Sequence, residues 1–357
     1  MRLCFIDFAN WDYNVDAPTL GPLGGSQSAL CYLSVALAKA GHDVTVMSGT
    51  ERPGQVQGVE CLHANTCDGA FFREKAYDAV IVLNSGTSSK LRAVLPSSTK
   101  LILWTQHEPA QPSMHRLGIP GVRSRWDGIV CVSDWQKAAY VREFNIAPER
   151  MAVIRNAIAP CFERLFSSRG DFANAKSNPL TLAYTSTPYR GLQLLLEIFP
   201  EFRREAPVSR LDVYSSMAVY RNQQAVDDEM QGIYDALKAT AGVNYVGSLP
   251  QPQLAERLAT AHILAYPCIF PETSCIAVME AMAAGLRVVT SDVAALPETT
   301  EGFADLVPYN ADFVRNYTEV LDQPYSPDGL FAQVVHMNQH HTWKVRAQQW
   351  AEYLNAA

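Results

Sequence analysis

Short runs of β-branched and apolar residues alternate with segments of helical periodicity along this whole chain. Such alternation is the signature of an α/β fold with parallel sheets. In the first half the runs Leu3–Asp7, Val44–Met47, Ala79–Leu83, Leu101–Thr105, Ile129–Val132 and Ala152–Ile154 predict strands. Between the first two, Ser26–Ala40 repeats Leu30, Leu33, Leu37 and Ala40 at helical spacing, and Gly41 stands where a C-terminal cap belongs. The second half repeats the pattern. Strands are expected at Leu180–Thr185, Arg210–Val213, Val243–Val246, His262–Tyr266 and Val288–Ser291. Helices are expected at Leu192–Arg204, Gln223–Thr240, Gln251–Ala259, Thr273–Ala284 and Leu296–Thr300.

A chain of 357 residues exceeds one ordinary core and fits two domains. The polar, irregular stretch Arg155–Pro179 reads as the link between them. The division predicted is 1–158 for the first domain and 159–339 for the second. In the last segment, Trp343, Ala347, Trp350 and Leu354 share one helical face, so a helix over 340–357 is expected to pack back on the first domain. Two α/β halves facing each other leave a cleft, where ligands bind.

Composition removes several classes of function. At 48% hydrophobic and 18% charged residues the chain is globular. Its net charge of −7, from 29 basic and 36 acidic residues, argues against binding a nucleic-acid backbone. No apolar run approaches the roughly 20 residues that span a bilayer, and the N-terminus reads straight into a strand without signal-peptide architecture. The eight cysteines lack CxxC spacing, the closest pairs being Cys61 with Cys67 and Cys268 with Cys275. Reduced thiols in a cytoplasmic protein are expected.

The most informative stretch runs from Pro271 to Gly285, in which Glu280 is the only charge between Thr273 and Gly285. A helix that is apolar all round is buried, and a carboxylate within it must find donors. Glu272 stands just before this helix and Glu280 eight residues later, about 12 Å along an axis rising about 1.5 Å per residue. The helix start between them favours a phosphate. The spacing therefore suits a nucleotide sugar, with sugar hydroxyls at Glu272, the diphosphate at the helix start and ribose hydroxyls at Glu280. A plain N-terminal charge at Glu272 and a buried Glu280 paired with an arginine is the competing reading.

At these residues the sequence resembles the retaining glycosyltransferases of the GT-B fold, family 4, or glycosyl transferases group 1. The resemblance is carried by Glu272, seven residues, Glu280, then Ala281-Met282-Ala283-Ala284-Gly285-Leu286-Arg287-Val288-Val289-Thr290-Ser291 and Leu296-Pro297-Glu298. Gly24-Gly25, Gly41-His42-Asp43-Val44-Thr45-Val46, Val153-Ile154-Arg155-Asn156, Arg190-Gly191-Leu192 and Gly247 follow the family's order. The resemblance implies two Rossmann-like domains facing across a cleft. It implies transfer of a hexose from a nucleotide-diphosphate sugar, UDP being the commonest carrier, to a saccharide or lipid-linked saccharide. A role in bacterial polysaccharide or cell-envelope glycan synthesis goes with it.

Carried over by position, Glu272 would contact donor sugar hydroxyls and Glu280 the ribose. The backbone of Thr273, Ser274, Cys275 and Ile276 would hold sugar and diphosphate. Arg190, in place of the family's usual Lys, would face the diphosphate, and Gly247, Ser248 and Leu249 would line the base pocket. His107 resembles the first-domain histidine that approaches the sugar, and Gly24 and Gly25 would let the backbone approach the donor phosphate and the acceptor. The family's second cation, five residues before its Lys, is replaced by Thr185; Arg155 or a first-domain residue is a candidate to fill the gap. No cofactor and no metal are expected, since no DxD-like cluster ends a strand. A GT-B epimerase or phosphorylase is one alternative function, and a non-catalytic nucleotide-sugar-binding subunit is the other.

Other features carry less. His107 could be an ordinary polar cap at a strand end, and Arg190 a solvated helix opener. Cys275 could have a lowered pKa near a helix start or be a small buried residue. Asp227-Asp228-Glu229 reads as a solvated helix face, and His340-His341 lack a spaced third ligand for zinc. Between Arg116 and Arg155 seven basic residues accompany four acidic ones, with Leu117, Ile119, Val122 and Trp126 nearby. That region is either a solvated face or a peripheral contact with the inner membrane face.

Overall fold

In a computed structural model of the protein, residues 1–66, 68–176, 179–220 and 228–356 are described. They form two compact units. The first gathers Met1–Pro18, Gly25–Asn156 and the segment from Trp343 on; the second gathers Thr19–Gly24 and Ala157–Thr342.

The first unit is built on eight strands, β1 (Arg2–Asp7), β2 (Asp43–Ser48), β3 (Gly54–Val56), β4 (Val59–His63), β5 (Ala79–Leu83), β6 (Lys100–Trp104), β7 (Gly128–Cys131) and β8 (Met151–Val153). Their order is β3-β4-β2-β1-β5-β6-β7-β8, all parallel except β3 against β4. β5 is buried at every position, as an unbroken apolar run covered on both faces must be. The core gathers Ile6, Val82, Leu103, Trp126, Ile129 and Tyr140 among others. On another side of the sheet the helix Trp343–Ala356 buries Trp343, Ala347, Trp350 and Leu354. Trp350 meets Phe5 and Trp104 edge to face, with centroids 6.3 and 5.4 Å apart.

The second unit has six parallel strands, β9 (Thr181–Thr185), β10 (Arg210–Tyr214), β11 (Val243–Tyr245), β12 (Ile263–Tyr266), β13 (Arg287–Ser291) and β14 (Asp305–Val307), in the order β11-β10-β9-β12-β13-β14. Successive strands are laid down to one side of β9 and then, from β12, to the other. The connection from β11 to β12 reverses the direction of growth, which is the topological switch point at which open α/β sheets bind ligands.

Three sequence expectations change. The hairpin β3–β4 was not foreseen, because its runs are short and polar; Gln57 and Gly58 both take positive φ, 49° and 82°, and turn it without an Asn-Gly signal. The supposed link Arg155–Pro179 is not a linker through most of its length. From Ala157 it belongs to the second unit and forms the helix Arg169–Ala175, whose Phe172 is buried. Lys176 then donates to the carbonyls of Leu258, Ala261 and Ala284, and burial lowers its pKa to about 7. The edge strand β14 was also missed. Of the expected helix Gln223–Thr240, residues 223–227 lie outside the described residues, and Gln231–Ala239 is helical.

Candidate functional site

The residues that sequence reading assigned to the second domain gather at the carboxyl ends of its strands. Arg190 follows β9 and Glu272 follows β12, the two strands that flank the switch point. Arg190 closes a 3-10 turn, Pro188–Arg190, rather than opening the long helix, which starts at Leu195. Gly191 explains how the turn gets so close to the β12 loop. Its φ is 102°, and an added Cβ would lie 2.0 Å from the Pro267 carbonyl oxygen, so only glycine fits.

That approach sets Arg190 against Glu272. Nη1 of Arg190 is ion-paired with Glu272 Oε1, and Nε donates to Thr187 Oγ1 at 3.0 Å. The guanidinium lies over Phe270, 4.3 Å from its centroid, and over Tyr189 at 5.3 Å. Longer contacts run from Nη2 to the hydroxyls of Tyr220 (3.4 Å) and Tyr189 (3.5 Å), which bond each other at 2.7 Å. Burial acts to lower the Arg190 pKa, but Glu272 and the tyrosines 220, 266 and 189 outweigh it and hold the cation above its ordinary value. Glu272 also accepts from the Tyr266 hydroxyl at 2.6 Å. It sits in the loop ahead of the helix, so the 12 Å axial separation from Glu280 does not describe it.

The helix itself begins at Ile276, with Cys275 at its N-cap and no side-chain cap bond, whereas the sequence suggested Thr273. Thr273 and Ser274 belong to the buried loop that leads into it. Cys275 is buried and its thiol is pushed well up by burial and by Glu272, the opposite of an activated cysteine. Val278 through Ala283 are all buried, as an all-round apolar pattern requires. Glu280 is 2% exposed and accepts the Ala159 N–H at 3.2 Å and a hydrogen bond from Gln251. No ion pair to Glu280 occurs among the described residues, so the expected arginine partner is replaced by neutral donors. Burial pushes its pKa up to about 8. Gly247 (φ 83°), Ser248 and Leu249 follow β11, and Ser248 bonds Ser216 between hydroxyls at 2.7 Å.

In the first unit His107 follows β6. Its Nδ1 bonds Ser113 Oγ at 2.8 Å, and its carbonyl accepts from Gln136 and Tyr140, each at 2.8 Å. Gly25 opens the helix Gly25–Lys39, while Gly24 groups with the second unit. Arg155 pairs with Asp134 at 3.0 Å. The Thr185 hydroxyl is buried at the end of β9 with no hydrogen-bond partner among the described residues.

Sequence reading did not find the aromatic frame of Arg190 (Tyr189, Tyr220, Phe270) or the hydroxyl of Tyr266. Tyr189 and Phe270 adjoin motif residues and could have been flagged; nothing local marks Tyr220. Of the candidate membrane patch, Leu117, Val122 and Trp126 are core residues, and only Ile119, 49% exposed, faces outward. Asp227 lies outside the described residues. The described cysteines 4, 31, 61, 131, 161, 268 and 275 are free thiols, and Cys67 lies outside the described residues. No helix among the described residues is long and apolar enough to cross a membrane.

Two parallel-sheet units of this kind make the fold GT-B, and the solved structures similar to the chain agree. Sucrose-phosphate synthase from Thermosynechococcus elongatus matches 100% of this chain and 99% of its own, with a TM-score of 0.75 and 16% identity. A glycosyltransferase from Rickettsia africae matches with a TM-score of 0.74 and 11% identity, covering 99% and 98% of the two chains. Anabaena HepE, solved in complex with UDP-glucose, matches with a TM-score of 0.70 and 17% identity over 100% of both chains. Residues 180–323 match the family model described as glycosyl transferases group 1, and that stretch contains Arg190, Glu272 and Glu280. One subunit of the phosphatidylinositol N-acetylglucosaminyltransferase of Arabidopsis thaliana is 26% identical over 180 residues. The match covers 48% of this chain and 36% of that relative's length.

Proposed function

We propose that the protein is a retaining glycosyltransferase that moves a hexose from a nucleotide-diphosphate sugar, with UDP as carrier, onto a saccharide or lipid-linked saccharide. The observation that supports it most is the Arg190–Glu272 pair at the switch point of the second sheet, beside the helix that buries Glu280. A cation and a helix start are what a departing diphosphate needs. Of the Arg190 hydrogen bonds, those from Nη2 to the two tyrosine hydroxyls are the longest, and a phosphate oxygen would displace them first.

Negative charge grows on the bridging oxygen as the sugar leaves, and a fixed guanidinium stabilises it more in the transition state than in the ground state. Glu272, held by Arg190 and Tyr266, is the acceptor for donor sugar hydroxyls. The backbone from Thr273 to Ile276 holds sugar and diphosphate, and Gly247, Ser248 and Leu249 hold the base. Ribose hydroxyls donating to Glu280 would supply the hydrogen bonds that keep a buried carboxylate charged. No metal takes part in transfer.

A thermal-shift panel of nucleotides and nucleotide sugars, followed by a transfer assay with anomeric analysis of the product, tests the proposal. UDP and one UDP-hexose should raise the melting temperature by mass action. Binding without transfer or donor hydrolysis would make the protein a nucleotide-sugar-binding subunit instead. An inverted product anomer would end the retaining assignment.

A further inference from the structure

Three of the chain's eight histidines fall at positions 336, 340 and 341. Two of them meet a carboxylate from elsewhere in the second unit. Glu301 ends the helix Leu296–Thr300 in the left-handed conformation, with φ 48°. His336 lies in the last turns of the helix Pro327–His340, and His341 follows that helix as its cap. His336 Nε2 lies 2.7 Å from Glu301 Oε2, and His341 Nε2 lies 3.1 Å from Glu301 Oε1. One oxygen is thus offered to each imidazole, and the three ligand atoms lie within 4.8 Å of one another.

We propose that Glu301, His336 and His341 bind one divalent transition-metal ion, with zinc the ion their chemistry favours. Two imidazole nitrogens and a carboxylate oxygen suit zinc and its neighbours and not magnesium or calcium, which take oxygen ligands. Around tetrahedral zinc, ligand atoms lie about 3–3.5 Å apart given bonds of about 2.0–2.2 Å, so small side-chain rotations would seat the ion. His341 is buried, whereas His336 and Glu301 are partly exposed, which gives the ion an entry path and leaves a fourth position for water. The ion would tie the end of Leu296–Thr300 to the end of Pro327–His340. The His341 carbonyl accepts the Ile158 N–H at 3.0 Å, so the tie extends to the segment that enters the unit at Ala157. The proposal shares no residue with Arg190, Glu272 and Glu280 and does not depend on the transfer reaction.

The test uses tag-free full-length protein, stripped with a chelator and dialysed, above the ordinary imidazole pKa of about 6.5. Zinc is titrated against a chromophoric chelator, and cobalt absorption reads the coordination geometry. One equivalent of zinc should bind and raise the melting temperature. Glu301→Gln and His336→Ala, both at partly exposed positions, should each weaken zinc at least about tenfold and abolish the thermal shift. Failure of the wild-type protein to take up one equivalent overturns the site. So does uptake that persists unchanged in both variants.

Discussion

Two buried glutamates eight residues apart in sequence meet opposite electrostatic solutions. Glu272 has a cation and a phenol, in Arg190 and Tyr266. Glu280 has only the Ala159 N–H and Gln251, and burial raises its pKa to about 8. The difference follows from position. Glu272 lies in a loop at the carboxyl edge of the sheet, where the β9 turn can reach it. Glu280 lies within a helix whose later residues are all buried, where a second long charged side chain would have to be desolvated too. The comparison teaches that burial alone does not fix a carboxylate's charge; the partner available at that point in the fold does.

The largest expected effect comes from breaking the charged corner. Arg190→Ala should leave Glu272 buried without its cation, at a cost of about 3–5 kcal/mol in denaturant unfolding. Turnover should fall by about 10²–10³ in protein shown to be folded by circular dichroism. Arg190→Lys should recover part of both, keeping the charge without the fork. The double variant Arg190→Met/Glu272→Gln should regain most of the stability and none of the turnover. Near wild-type turnover in folded Arg190→Ala would mean that the diphosphate is neutralised elsewhere, and Arg155 would be tested next.

A smaller effect is expected at Glu280. Glu280→Ala should weaken UDP by roughly 10- to 150-fold in calorimetric titration, the equivalent of a lost charged hydrogen bond of about 1.5–3 kcal/mol. Turnover at saturating donor should change less. An unaltered UDP affinity would refute the ribose assignment.

The pH dependence of stability tests the Glu280 half of the comparison. Glu280 has a folded pKa of about 8 against an ordinary value of 4.5, so the folded chain retains a proton that the unfolded chain releases. Its contribution is fully present below about pH 4.5 and is lost as pH rises through about 8. In that window the wild-type protein should lose up to about 1.4 kcal/mol per pH unit relative to Glu280→Gln. Parallel stability curves for the two proteins would show that Glu280 is charged throughout.

The smallest expected effect is none. Transfer should survive EDTA if, as proposed, Arg190 and the helix start serve the diphosphate without an ion. Complete loss of activity that magnesium or manganese restores would sink this. Stripping a metal from Glu301, His336 and His341 should lower the melting temperature and leave turnover at assay temperature intact.

Much of this was legible in the sequence because it rests on local periodicity. Five of the six strands of the second unit, the buried helix with its single Glu280, and the docking face of Trp343, Ala347, Trp350 and Leu354 all follow from spacing. The polar residues 157–176 misled because composition describes exposure on average, whereas Phe172 and Lys176 are fixed by the elements they meet. His340-His341 looked like a pair without a third ligand. The tertiary structure selects His341 instead of His340, adds His336 one turn earlier, and supplies Glu301 from 40 residues upstream.

The sequence by itself determined the alternation of strand and helix, the apolar faces of the regular elements, and the glycine at 191 that lets one loop approach another. Only the tertiary structure decided which loops meet. Strand order places β9 beside β12 although about 80 residues separate them, and it therefore joins Arg190 to Glu272 and leaves Glu280 without a cation. Periodicity is written within a few residues of chain, while the charge state of a buried group is set by neighbours that the sheet brings from elsewhere.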